Sequence, residues 1–102
     1  MFPELAERQV ELEQLCRNHR VQRLDLFGSA TTAANFHEES DLDFLVEFEP
    51  LAPGLYADTY FGLLEGLELL FRRPVDLVVA SAIKNPYFLE AVEQSKSPLY
   101  AA

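Results

Sequence analysis

Three aspartates and one Gly-Ser pair carry the chemistry that this sequence offers. Asp41 and Asp43 flank Leu42 at the start of an alternating run, and Asp76 follows Asp43 by 33 residues. Residues two apart on a strand point the same way, separated by roughly 7 Å along the backbone. Their carboxylates can therefore converge above a sheet. Two anions that close repel, and burial raises the cost, so either one takes up a proton or a cation fills the gap. A hard divalent ion such as Mg²⁺ suits all-oxygen ligands. If Asp76 lies on a neighbouring strand, three carboxylates could support a pair of ions, the clamp used in phosphoryl and nucleotidyl transfer. Gly28-Ser29 precedes Asp41 by 12 residues, counted from Ser29. Glycine lets a phosphate approach the backbone, the following amides can donate to it, and the Ser29 hydroxyl adds one more donor. Together these groups would grip a triphosphate at one end and bind it through metal at the other. An attacking hydroxyl near Asp76 could lose its proton towards that carboxylate.

The elements that must position these residues can be read from periodicity. Residues 4–19 form a helical pattern with Leu5, Leu12, Leu15 and Cys16 on one face. Residues 21–27 alternate as a strand that ends at Gly28-Ser29, and a short irregular or helical stretch is expected to about residue 40. Residues 41–48 give the clearest strand. Leu42, Phe44, Val46 and Phe48 share one face, and Asp41, Asp43 and Glu47 share the other. A helix is predicted over 56–72, closed by Pro74, then a strand at 75–79 and a last helix over 85–96 with Pro86 near its first turn. Gly62 and Gly66, four apart on helix 56–72, either admit a close neighbour or are tolerated on the surface. The order predicts an α/β (α+β) domain, a small mixed β-sheet with helices packed on one face, and it permits a parallel crossover through helix 56–72.

Composition narrows the function. The 102 residues make one domain, residues 1–102, with 49% hydrophobic residues and no room for a separate substrate-binding domain. Seventeen Asp plus Glu oppose eight Lys plus Arg, for a net charge of −9. Direct nucleic-acid binding is not expected, because a phosphate backbone needs a basic face. An acidic chain can still take a nucleotide through a metal ion, or a basic protein partner. Cys16 is the only cysteine, so no disulfide or Cys-based zinc site is expected; it reads as a buried small hydrophobe. No run approaches a membrane span, and the N-terminus lacks a secretory pattern, so a cytoplasmic location is expected. His19 and His37 read as surface or loop residues, Arg72 and Arg73 as complements to a helix C-terminus, and Tyr56 and Tyr60 as helix packing.

Taken singly, a Gly-Ser is commonly a turn and an Asp-x-Asp on an exposed strand is commonly solvated. Order, spacing and strand context carry the signal. Leu26-Phe27-Gly28-Ser29, Ser40-Asp41-Leu42-Asp43-Phe44-Leu45-Val46-Glu47-Phe48 and Pro74-Val75-Asp76-Leu77-Val78 together resemble the minimal nucleotidyltransferases of the DNA polymerase beta-like superfamily. The resemblance spans residues 23–79 well. It implies the nucleotidyltransferase, polymerase beta-like palm fold. It also implies Asp41, Asp43 and Asp76 as catalytic metal ligands, with Asp76 as third ligand or general base, and Gly28 and Ser29 as the nucleotide-binding pair. Mg²⁺, as two ions, and ATP as substrate follow from it. So does a partner, since minimal members are commonly antitoxins of an all-helical HEPN ribonuclease, and some transfer AMP from ATP to a tyrosine of that toxin. The alternative is an inert or weak antitoxin that neutralises the toxin by contact. One departure bears on this choice. Where active antitoxins often read Gly-Ser-x-Ala-Arg-Gly, this chain has Thr32 at the arginine and Ala33 at the second glycine, which removes a fixed cation near the phosphates. The acceptor residue and any homo-oligomer stay open at this stage. A receiver-like domain is disfavoured because Lys84 lies beyond the last predicted strand.

Overall fold

The computed structural model describes residues 3–27 and 41–102. The predicted stretch from residue 28 to 40, with Gly28, Ser29, Thr32, Ala33 and His37, lies outside the described residues.

The first helical run is two helices, α1 (Pro3–Glu7) and α2 (Gln9–Asn18), where the sequence pattern predicts one over 4–19. Arg8 breaks the run, with φ −105° and ψ 17°, yet its carbonyl accepts the Leu12 N–H at 2.9 Å. The apolar spacing carries across the break: Leu5, Leu12 and Cys16 are all buried. Arg20, at φ 56°, turns the chain from α2 into β1 (Val21–Phe27). There follow β2 (Leu42–Phe48), α3 (Tyr56–Phe71), β3 (Val75–Val79), a 3-10 turn at Ala80–Ala82, α4 (Pro86–Ser95) and β4 (Ser97–Ala101).

The sheet order is β3-β2-β1-β4. β1 pairs antiparallel with β2 and with β4, and β2 pairs parallel with β3. The sheet is thus mixed, as expected, and α3 makes the parallel crossover. The sequence pattern contains no sign of β4. Pro98 lies inside it, and proline is tolerated on a strand that needs ladder bonds on one side only.

The strand alternation sets two faces. Leu24, Leu26, Leu42, Phe44, Val46 and Leu77 turn to one side. There they meet Leu12 and Cys16 of α2 and Leu63, Leu67 and Phe71 of α3, with Phe44 stacked on Phe71 at 6.0 Å between ring centroids. Gly62 and Gly66 admit the close neighbour. A β-carbon at Gly66 would run into a Leu15 methyl, and one at Gly62 would lie 2.9 Å from His19 Nε2. His19 is therefore a half-buried residue between α2 and α3, its Nδ1 2.9 Å from the Leu15 carbonyl oxygen. Arg72 caps α3 in the left-handed conformation, at φ 55°. On the other side of the sheet, Phe27 and Leu45 pack with Val92 of α4. α1 to α3 accordingly cover one face, and α4 covers part of the face that carries Asp43. Pro86 occupies its first turn, and the Asn85 side chain caps it by accepting from the N–H groups of Tyr87 and Phe88.

Cys16 is fully buried, and its thiol is pushed up to about 12 by burial, with Glu13 nearby adding to the shift. Thiolate is the reactive form. The native protein should therefore resist thiol-specific alkylation at pH 8 and label fully once unfolded in denaturant. Equal labelling rates in the two states would contradict this packing.

Candidate active site

The parallel pairing of β2 and β3 does most to assemble the site. The Leu42 N–H donates to the Pro74 carbonyl at 3.0 Å, and the register then runs Leu42 with Val75, Asp43 with Asp76 and Phe44 with Leu77. Leu42, Phe44 and Leu77 are buried on the core face. Pleat alternation leaves Asp43 and Asp76 side by side on the other face, on strands roughly 5 Å apart. Asp43 is half-buried, and Asp76 is exposed. Asp41, the residue before Leu42, is exposed at the mouth of β2.

The electrostatics match that placement. The Asp43 carboxyl is raised above its ordinary value by burial first, then by the charge of Asp76 and that of Asp41. The other two sequence-predicted aspartates thus both bear on Asp43. The donor set is hard, all-oxygen and mutually repulsive, which fits a divalent cation. Among the described residues no group of three or more His, Cys, Asp or Glu side chains is close enough to hold a metal ion together. Asp43 and Asp76 are the pair the structure brings together, with Asp41 at the exposed approach.

β1 ends at the same place. Its last residue, Phe27, pairs with Asp43 and meets Phe88 of α4 edge to face at 6.3 Å. Gly28 and Ser29 follow Phe27 in sequence and lie outside the described residues. Tyr60 has a part that periodicity alone did not reveal. Its hydroxyl donates to the Leu77 carbonyl at 2.6 Å and so ties α3 to β3 one residue past Asp76. Burial, then Asp76, then Tyr56 raise the Tyr60 phenol. The only sequence signal was an aromatic on the helix that crosses from β2 to β3. Tyr56 packs against Phe48 at 5.7 Å, consistent with helix packing. No helix among the described residues is long and apolar enough to cross a membrane.

A family model for the nucleotidyltransferase domain matches residues 11–98. A protein of Methanocaldococcus jannaschii, provisionally named a protein adenylyltransferase, is 32% identical over 92 residues, covering 82% of this chain and 90% of its own. A solved structure of a provisionally assigned minimal nucleotidyltransferase superposes with a TM-score of 0.75 at 33% identity, covering 93% of this chain and 92% of that one. A chain from the complex of a tri-AMPylated Shewanella oneidensis HEPN toxin with its MNT antitoxin shares the fold, with a TM-score of 0.65 at 18% identity over 96% of this chain and 73% of that one. The carboxylates paired across β2 and β3 lie within the span that the family model covers, and the chain belongs to the nucleotidyltransferase domain family.

Proposed function

We propose that this chain transfers AMP from ATP to a protein hydroxyl, a tyrosine of a HEPN-type toxin, and acts as the antitoxin of that pair. The observation that carries the reading is the register of Asp43 against Asp76 on neighbouring strands, beside the end of β1. The adenylyltransferase name of the M. jannaschii relative supports the reaction class, and the toxin–antitoxin neighbour supports the partner.

In this reading Asp43 and Asp76, with Asp41 at the approach, would hold Mg²⁺ as two ions, which would supply neutralisation of the charge that builds on the phosphates. Gly28 and Ser29, the nucleotide-binding pair that the family resemblance implies, would hold the phosphates that leave. The acceptor oxygen forms its bond to the α-phosphorus while the bond to the bridging oxygen breaks, releasing pyrophosphate. Asp76 is exposed, and in this reading its carboxylate would take the hydroxyl proton. The net charge of −9 suits a basic partner, and a cytoplasmic setting supplies the ATP.

The test is transfer of label from ATP carrying ³²P at the α position to the cognate toxin. The expected result is a labelled toxin with the parent protein and none with an Asp41→Asn/Asp43→Asn double variant, which also fails to neutralise the toxin. Full neutralisation by that variant, without label in either case, would replace the proposal with stoichiometric binding. The absence of the motif arginine, with Thr32 in its place, favours that second reading.

A further inference from the structure

Asp76 sits on β3, and β3 is an edge strand that pairs with β2 alone. A strand held by a single ladder frays more readily than a central one. Pro74 turns its carbonyl towards β2, where it accepts from the Leu42 N–H at 3.0 Å. Backbone groups of an extended strand alternate in direction, so those of Asp76 face β2 again, while those of Val75 and Leu77 point outwards from the edge. These two outward residues flank the carboxylate.

Helix α3 meets both of them. The Val75 N–H donates to Glu68 Oε2 at 3.3 Å, and the Leu77 carbonyl accepts from the Tyr60 hydroxyl at 2.6 Å. Tyr60 and Glu68 lie on one ridge of the helix, with the partly buried Leu64 between them. Both are half-buried. Two side chains of α3 thus stand where a fifth strand would pair, one before the aspartate and one after it. Water could satisfy the same backbone groups, but it would leave the strand free to shift.

We propose, on the reading of Asp43 and Asp76 as one nucleotide site, that Tyr60 and Glu68 are positioning residues which clamp β3 and keep Asp76 level with Asp43. They act through the backbone of β3 and not on the nucleotide. Tyr60 serves as a donor, and Glu68 serves as an acceptor, not as a charge.

The test uses the full chain and the variants Tyr60→Phe, Glu68→Ala and Glu68→Gln. Amide hydrogen exchange, without metal or nucleotide, reads the clamp itself. Exchange at Asp76 and Val78 should quicken about tenfold in Tyr60→Phe and in Glu68→Ala, with Asp25 and Leu45 in the β1–β2 ladder unchanged. Calorimetric titration with ATP and Mg²⁺, at a temperature where every variant stays folded, reads the consequence. Affinity should weaken about tenfold in Tyr60→Phe and Glu68→Ala, and stay within about twofold of the parent in Glu68→Gln, whose amide oxygen still accepts. A role in stability alone would lower the melting temperature and leave that affinity unchanged. Unchanged affinity in Tyr60→Phe and Glu68→Ala, exchange that quickens equally in all strands, or a loss in Glu68→Gln equal to that in Glu68→Ala would overturn the proposal. A parent that binds no ATP would strike the nucleotide reading instead, and the exchange rates would still decide the clamp.

Discussion

Asp43→Asn is expected to lower AMP transfer by on the order of 10²–10³-fold while leaving the protein as stable as the parent, or more stable, at pH 7. The loss of rate follows from removing one charged ligand worth several kcal/mol to the reacting phosphates, at about 1.4 kcal/mol per tenfold. The gain in stability follows from the raised Asp43 carboxyl. A group whose folded-state value lies above its unfolded value binds its proton more tightly in the folded protein. Its stabilising contribution is fully present below the ordinary carboxyl range and is lost as pH rises through the folded value. Where the side chain is ionised, burial and the neighbouring Asp76 and Asp41 oppose folding, and asparagine removes that charge. Thermal melts of parent and variant should differ by up to a few degrees at pH 7 and converge below the carboxyl range. A variant less stable than the parent at pH 7, with transfer unchanged, would contradict both halves.

The opposite signature is expected one residue away. Phe44 is fully buried on the central part of β2 and stacks on Phe71 of α3. Phe44→Ala should lower stability by about 3–5 kcal/mol, a large share of the roughly 5–15 kcal/mol of a small domain. The melting temperature should fall by more than about 10 °C, and transfer should vanish with the fold rather than before it. Urea denaturation checks this. A loss below about 1 kcal/mol would mean that the ring does not hold the strand whose register pairs Asp43 with Asp76.

The contrast between adjacent residues shows why this site was legible in the sequence. Asp43 and Phe44 alternate on a strand, so the apolar positions Leu42, Phe44 and Val46 announce the core face and leave the aspartate on the other. The helix between two short apolar strands gave the parallel crossover. Pairing of Asp43 with Asp76, however, is a register property, and no local pattern states it. The break at Arg8 was hidden because Leu5, Leu12 and Cys16 keep one apolar phase through it. β4 was hidden by Pro98, and the seating of α4 on the carboxylate face depends on Val92 meeting Phe27 and Leu45, a long-range contact. Tyr60 reads as packing until β3 places Leu77 and Asp76 beside it. Asp25 likewise looks like any polar strand residue, and only the fold buries it.

Asp43 and Asp76 are proposed to form one metal-dependent nucleotide site. Calorimetric titration with ATP tests it most directly, with and without Mg²⁺, on the parent and on Asp43→Asn and Asp76→Asn. Binding by the parent that requires Mg²⁺ and is lost in both variants is the expected result. Equal binding by parent and variants, or binding indifferent to Mg²⁺, would contradict it.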